Sequence, residues 1–249
     1  MSSDVIRAER ALHRRMRLAF TAAAAAGVPG RFRAWEEDGL LACRASDPAL
    51  RHLSTVSGVT ADNVAAVPDL LRSRAWAGER PTVLVSAELD GATLRAAGLT
   101  RVADRTLALR PSDPDAAAPG PEVVESSDPD AFVAVLLAGF QADGVVAAFI
   151  RAEHRAPEVR RFLAVSDRAP IAAGALTVHG DVATVGGAAT LPGRRGQGAQ
   201  SALLRHRLSV AAQSGCDLVV GTALADSVSE TNLRKAGFRT VRRSAWVAA

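Results

Sequence analysis

The spacing of apolar residues changes rhythm along the chain, and each change marks an element. Residues 4–26 are rich in Leu, Ala and Arg and free of Pro and Gly, which predicts a helix ended by Gly27 and Pro29. Phe32 to Arg44 reads as two strands turning at Glu37-Asp38-Gly39, and Asp47-Pro48 then supplies an N-cap followed by proline at the first helical position. Val64, Val67, Leu70 and Leu71 fall at helical spacing within residues 62–76, a helix that Pro68 must kink or interrupt. A short buried strand follows at Pro81 to Ser86, then a helix from Gly91 to Ala97 closed by Gly98, and a strand or hairpin from Leu99 to Arg110.

Pro111 to Pro121 holds four prolines with Asp, Ala and Gly, a linker composition that divides the chain into residues 1–110 and 122–249. Beyond it, Glu122 to Glu125 predicts a strand, Asp128-Pro129 opens a helix to about Phe140, and Phe149 to His154 a second helix. Phe162 to Ser166, Ile171 to His179 and Asp181 to Thr190 predict three strands joined by turns at Asp167 and Gly180. A basic, glycine-bearing turn, Pro192-Gly193-Arg194-Arg195-Gly196-Gln197-Gly198, then leads into a helix with Leu204, Leu208, Ala211 and Ala212 on one face. Asp217 to Thr222 is a buried strand. Ser227-Val228-Ser229-Glu230 has capping-box spacing, so a helix starts there and ends at Gly237, before a last strand from Phe238.

Composition narrows the class. With 249 residues, 48% hydrophobic and 22% charged, the chain reads as a soluble globular protein of one large domain or two of about 120 residues. The apolar-looking run Ala19 to Val28 is alanine-dominated and far short of the ~20 residues a membrane span needs, and the first residues carry Asp4 and Glu9 among arginines. No membrane association and a cytoplasmic location are the expectation. Cys43 and Cys216 stand far apart without metal spacing and read as core residues, so no metal site is expected. The net charge is +4, carried almost wholly by arginine, with Lys235 the sole lysine. A basic surface suits a polyanionic cofactor or an acidic carrier protein. Nucleic acid is disfavoured, because no basic run is interleaved with stacking aromatics and Tyr is absent.

The chemistry concentrates at the basic turn. Gly196 and Gly198 have no Cβ to hold a ligand away, so backbone N–H groups can converge on a phosphate at the positive end of the following helix. Ala199-Gln200 after Gly198 is not the Lys-Ser/Thr of a Walker loop, and Ser201 stands where a dinucleotide fingerprint needs its third glycine. The run from Pro192 to Gly198 instead resembles the pyrophosphate loop of the GNAT acyltransferase superfamily, with Gln200 replacing the final Gly/Ala so that its side chain must point away from the pyrophosphate. Ala236-Gly237-Phe238 resembles that family's closing helix signature, and the element order over Glu122 to Ala249 matches its topology.

The resemblance implies an α+β (α/β) GNAT fold, a mixed twisted sheet flanked by helices. A weak repeat sets Leu94–Leu99 against Leu233–Phe238 at an offset of 139, so the chain reads as two GNAT-like halves. The first half, without a counterpart of the glycine turn, is expected to support the second and wall the acceptor pocket. By resemblance, acetyl-CoA or another acyl-CoA is the cosubstrate and its acyl group passes directly to the amine of a small molecule. A phosphopantetheinylated acyl carrier protein as donor, and a non-catalytic CoA-binding regulatory module, are the alternatives. Ala189, Thr190 and Leu191 would pair with pantetheine, Arg194, Arg195, Gly196, Gln197, Gly198, Ala199 and Gln200 would hold the pyrophosphate, and Asn232 would reach the pantetheine arm. Val182 to Ala189 carries no Glu, which leaves Glu153, His154, His179 and Asp226 as acid–base candidates. The family's thiolate-protonating tyrosine position holds Leu233. Thiolate departure is then expected to depend on water, on the hydroxyl of Ser227 or Ser229, or on the nucleophile's own ammonium.

Overall fold

A computed structural model describes residues 2–86, 89–114 and 120–248; residues 115–119 of the expected linker lie outside it. The first half contributes α1 (Ser3–Ala25), β1 (Phe32–Glu37), β2 (Leu40–Ala45), β3 (Thr55–Ser57), α2 (Val67–Arg72), β4 (Thr82–Val85), α3 (Gly91–Ala96), β5 (Leu99–Arg101) and β6 (Arg105–Pro111). The second contributes β7 (Glu122–Glu125), α4 (Pro129–Phe140), α5 (Gly144–Arg155), β8 (Arg160–Ser166), β9 (Ala169–His179), β10 (Val182–Thr190), α6 (Ala199–Gln213), β11 (Leu218–Leu224), α7 (Val228–Lys235) and β12 (Arg239–Ala248).

Local chemistry explains most of these bounds. Asp38 and Gly39 both take positive φ, as a two-residue turn between right-twisted strands requires, and Glu37 pairs directly with Leu40. Asp128 accepts from the N–H groups of Asp130 and Ala131, capping α4, and Ser227 accepts from Glu230 N to start α7. Two expectations need correction. The helix expected over 62–76 is in pieces, a 3-10 turn, α2 and another 3-10 turn, because Pro68 enters in the first turn of α2 and Ser73 is extended. The helix expected at 149–154 begins five residues earlier, at Gly144, where Val145 and Val146 hide the helical signal behind β-branched side chains.

The twelve strands found among the described residues form one mixed sheet in the order β1-β2-β3-β4-β12-β6-β11-β10-β9-β8-β7, with β5 also on β12. Among the described residues the only parallel neighbours are β3–β4 and β10–β11. On β9, Ala172 and Leu176 pack against Leu203, Leu204 and Leu208 of α6, while Ala173 and Ala175 pack against Phe132 and Leu136 of α4. Alternation therefore places α6 and α4 on opposite faces. Helix α1 joins α4 and α5 on their face: Leu18 and Ala22 pack with the α4 cluster, and Val5, Ala8 and Ala11 cover Val182, Leu218 and Val220.

The halves interlock through their last strands. β6 does not close the first half; it lies between β11 and β12, with Leu107 opposite both Thr222 and Val241. The far end of β12 returns the exchange and lies between β4 and β5, with Trp246 opposite Val83 and Arg101. The repeat offset of 139 carries the pair Val85–Ser244 onto Leu224–Arg105, both of which occur, so the two insertions are equivalent by an internal pseudosymmetry. Pro111, which opens the expected linker, is the last residue of β6 and pairs with Leu218.

Residues 120–249 expressed alone lack β6 and would leave β11 and β12 with unpaired inner edges. That fragment should show no cooperative thermal transition by circular dichroism and should precipitate. A sharp transition in the isolated fragment would show that the inserted strand is dispensable.

Candidate active site

The site begins where two strands part. β10 and β11 pair in parallel only from Val182–Leu218 to Thr184–Val220, and β10 also slips register against β9 between Gly186 and Ala189. The bulge is built from glycine: Gly187 has φ +49°, a left-handed conformation few side chains tolerate. From there β10 diverges and a cleft of about 900 Å³ opens between it, β11, α6 and α7. α4 presses on the outer end of β10, where a Cβ on Gly139 would come within 2.6 Å of Ala189 Cβ, so only glycine permits that approach.

The basic turn forms the mouth. Pro192–Arg194 is a 3-10 turn, Gly196 has φ +80°, and Gly198, at φ +76°, is the N-cap of α6. A Cβ at either glycine would meet nothing within 4 Å, so their backbone stands bare toward open space. The first N–H groups of α6 have no intrahelical partner and add the helix's positive end. Gln200 Nε2 donates to Thr190 Oγ1 at 3.1 Å, and both residues line the cleft. Arg194, Arg195, Arg207 and Lys235 line the cleft, and no Asp or Glu is among its described lining residues. Such a surface fits a polyphosphate.

Of the residues expected to bind cofactor, Ala189, Thr190, Arg194 to Gln200 and Asn232 all line this one cleft, and Leu191 directly follows β10, its N–H donating to Ile171 O. Leu233 is only 6% exposed and closes the deep end, where a Cβ on Gly221 would meet its Cδ2 at 3.3 Å. Ser229 also lines the cleft, whereas Ser227 is occupied as the α7 cap.

The acid–base candidates lie elsewhere. Glu153 and His154 sit on α5, behind the β10 bulge, with Glu153 Oε1 accepting from Arg15 Nη2 at 2.8 Å. Burial would raise the Glu153 carboxyl, but the Arg15 guanidinium bonded to it opposes this, and it is held below its ordinary value. His154 is 2% exposed; its Nδ1 donates to Ile150 O at 2.9 Å, which leaves Nε2 as a buried acceptor without a partner. Burial lowers its pKa against the pull of Glu153, so the ring is neutral near pH 7. Nε2 is aimed at the bulge: a Cβ on Gly187 would lie 2.0 Å from it. His179 lies opposite Val182, at the start of β10 and away from the bulge, with a pKa lowered to about 4 by burial and by Arg15 and Arg14. Asp226 is exposed and paired with Arg242 at 3.0 Å.

Two arginines absent from the sequence expectations meet at Gly186. A Cβ there would come within 3.0 Å of Arg15 Cζ, while Gly186 O accepts from Arg207 Nη1 at 3.4 Å. A signal for Arg207 exists in the sequence: it sits four residues after Leu203 and four before Ala211, on the inward face of α6.

The cleft is thus a parted parallel strand pair ending on a bare, basic glycine turn, and sequence comparison gives the family. The acetyltransferase (GNAT) family matches residues 121–238. The second half is thus a GNAT acetyltransferase domain, and the protein is an acyl-CoA-dependent acyltransferase. No curated protein matches the sequence. Among solved structures, a GCN5-related N-acetyltransferase from Kribbella flavida superposes at TM-score 0.59 with 19% identity, over 93% of this chain and 94% of that one. A tandem GNAT protein from the clavulanic acid biosynthesis pathway superposes at 0.60 with 17% identity, over 93% and 87%. A GCN5-related N-acetyltransferase from Sphaerobacter thermophilus gives 0.56 with 15% identity, over 93% and 90%. These likenesses extend the GNAT fold across both halves.

Two stability experiments check the buried polar group. Gly187→Ala combines left-handed strain with overpacking against His154 and should destabilise the protein by about 2 kcal/mol, lowering Tm by roughly 4–8 °C. The same substitution in a His154→Ala background should cost measurably less; equal penalties would show that the ring does not abut the bulge. For His179 the folded pKa lies below the unfolded value, so the unfolded chain binds the extra proton. Stability should be full above about pH 6.5 and fall as pH drops toward 4, and His179→Asn should flatten the Tm profile in that window.

Proposed function

We propose that the protein transfers an acyl group from acyl-CoA to the amine of a small molecule, with residues 122–249 as the catalytic half and residues 1–110 as its support. The observation that carries this is the cleft itself: bare glycine backbone and a helix N-terminus at one end, four basic side chains, no carboxylate among the described lining residues, and two diverging strands at the other end. In this reading the turn from Arg194 to Gln200 holds the pyrophosphate, Ala189 to Leu191 and Asn232 hold the pantetheine arm, and the thioester reaches the bulge. The amine nitrogen bonds to the thioester carbonyl carbon, the C–S bond breaks, and CoA leaves as thiolate. A backbone N–H at the bulge would stabilise the developing oxyanion.

The ammonium proton must leave first. Glu153 is committed to Arg15, Asp226 to Arg242, and His179 lies at the other end of β10. His154 alone of the four offers a neutral, unpaired acceptor at the bulge, and we assign it the role of base. Leu233 has no proton to give the departing thiolate, whose pKa near that of cysteine, ~8.5, lets it leave without a dedicated acid. The described residues of the first half hold no comparable cradle: at the end of its own parallel pair, a Cβ on Gly58 would meet Gly39 O at 3.0 Å. One CoA per chain is therefore expected.

Saturating CoA, at about 100 times Kd, should stabilise the wild type by about 2.7 kcal/mol, seen as a rise in Tm. Gly198→Glu places bulk and negative charge on the bare turn and should abolish that rise. Unchanged stabilisation in this variant, or two CoA molecules per chain by titration calorimetry, would overturn the site assignment.

A further inference from the structure

Arg207 is the least expected group in the cleft. It is 1% exposed, and burying a guanidinium without an anionic partner is costly. Its partners are all neutral: Nε donates to Leu203 O at 3.0 Å, and Nη1 donates to Ala175 O at 3.0 Å and to Gly186 O at 3.4 Å. Nη2 makes no hydrogen bond with any described residue, and the side chain lines the cleft. The site is built around it, because Gly174 makes room: a Cβ there would fall 2.9 Å from Arg207 Cζ.

On the other side of Gly186 stands Arg15, whose one carboxylate, Glu153, leaves Nη1 buried and unpartnered. With His154 neutral, two guanidinium groups face one carboxylate, and the deep end of the cleft keeps an uncompensated positive charge. Burial and the neighbouring Arg15 lower the Arg207 pKa to about 9, which still leaves it charged at neutral pH. A structural splint between β9 and β10 would need only Nη1. Nη2 is left over from that splint and open to the cleft, free to meet an anion there.

Position separates the possible anions. The pyrophosphate cradle is at the start of α6, and the backbone of Arg207 lies eight residues further on, about 12 Å along the helix axis, with the guanidinium folded back to the level of Leu203 O. Arg207 sits level with Gly186, where the strands part and, on the proposed function, the acyl group lies.

We propose that the acyl group carried into this site ends in a carboxylate, as in malonyl-, succinyl- or glutaryl-CoA, and that Arg207 Nη2 is its counterion. The inference rests on the cleft being the acyl-CoA site. The transferred group would reach the amine as a half-amide, with the distal carboxylate unchanged, the C–N bond formed and the C–S bond broken as for any thioester.

Isosteric pairs of donors test it, measured as Kd by titration calorimetry on the full chain. Succinyl-CoA should bind at least about tenfold more tightly than butyryl-CoA, which has the same number of acyl carbons and no distal charge. In Arg207→Met that ratio should fall toward one, and in Arg207→Lys, which keeps charge but loses the fork, it should take an intermediate value. Because Arg207 also joins β9 to β10, the variants can fail to fold; the wild-type ratio then decides alone. CoA binding with a succinyl-to-butyryl ratio near one overturns the acyl inference and leaves the proposed function standing. A ratio near one together with tighter binding of amino acids than of their decarboxylated amines would give the carboxylate to the acceptor, and overturns it too. Failure of CoA itself to bind overturns both.

Discussion

The structure depends on the insertion of β6 between β11 and β12. A cleft between parallel strands needs a rigid wall on each side, and β11 has β10 beside it for only three residue pairs before the two diverge. Its other edge is held along its whole length by β6, seven residues from Arg105 to Pro111 opposite Leu224 to Leu218. Without that backing, β11 would be a short strand with one edge open to water and little to fix its direction. The first half therefore acts on the site from behind, by holding one of its walls straight, in addition to covering the sheet with α1.

The parting itself is produced by small residues and paid in buried charge. Gly186 and Gly187 let β10 bend away, and the space they leave is filled from both faces by arginine and histidine rather than by aliphatic side chains. Apolar residues there would have closed the sheet into an ordinary ladder. Arg15, Glu153 and His154 on one face and Arg207 on the other keep the break polar, and Arg207 donates to the strand carbonyls of Ala175 and Gly186. The same groups create the electrostatic character of the deep cleft.

Much of this was legible in the sequence, and what was not has physical causes. The turn from Pro192 to Gly198 and the strand and helix beside it could be placed because glycine at positive φ and a following helix leave local marks. The repeat offset was legible too, and the register of the exchanged strands obeys it. Neither the exchange nor the true neighbours of β5 and β6 could be read, since strand pairing across the chain has no local signature. Leu99 to Arg110, read as a strand or hairpin, forms two strands that each pair with β12 and not with one another. Glu153 and His154 were picked for their chemistry, but the partner that commits Glu153 is Arg15, 138 positions away, and only the fold joins them. Arg207 was hidden for a different reason: an arginine among leucines reads as a solvated residue unless its place on the inward face is given weight.

The exchanged strand also sets an order of events during synthesis. β1 to β6 emerge from the ribosome well before β12, yet the slot between β4 and β5 is filled by β12 alone. Until then the first half must wait with its inner strands unpaired and Trp246, which completes its core beside Trp76 and Leu94, still missing. The strand that completes the first half is therefore the last one synthesised, and the edges of β4 and β5 stay open to premature pairing for most of elongation.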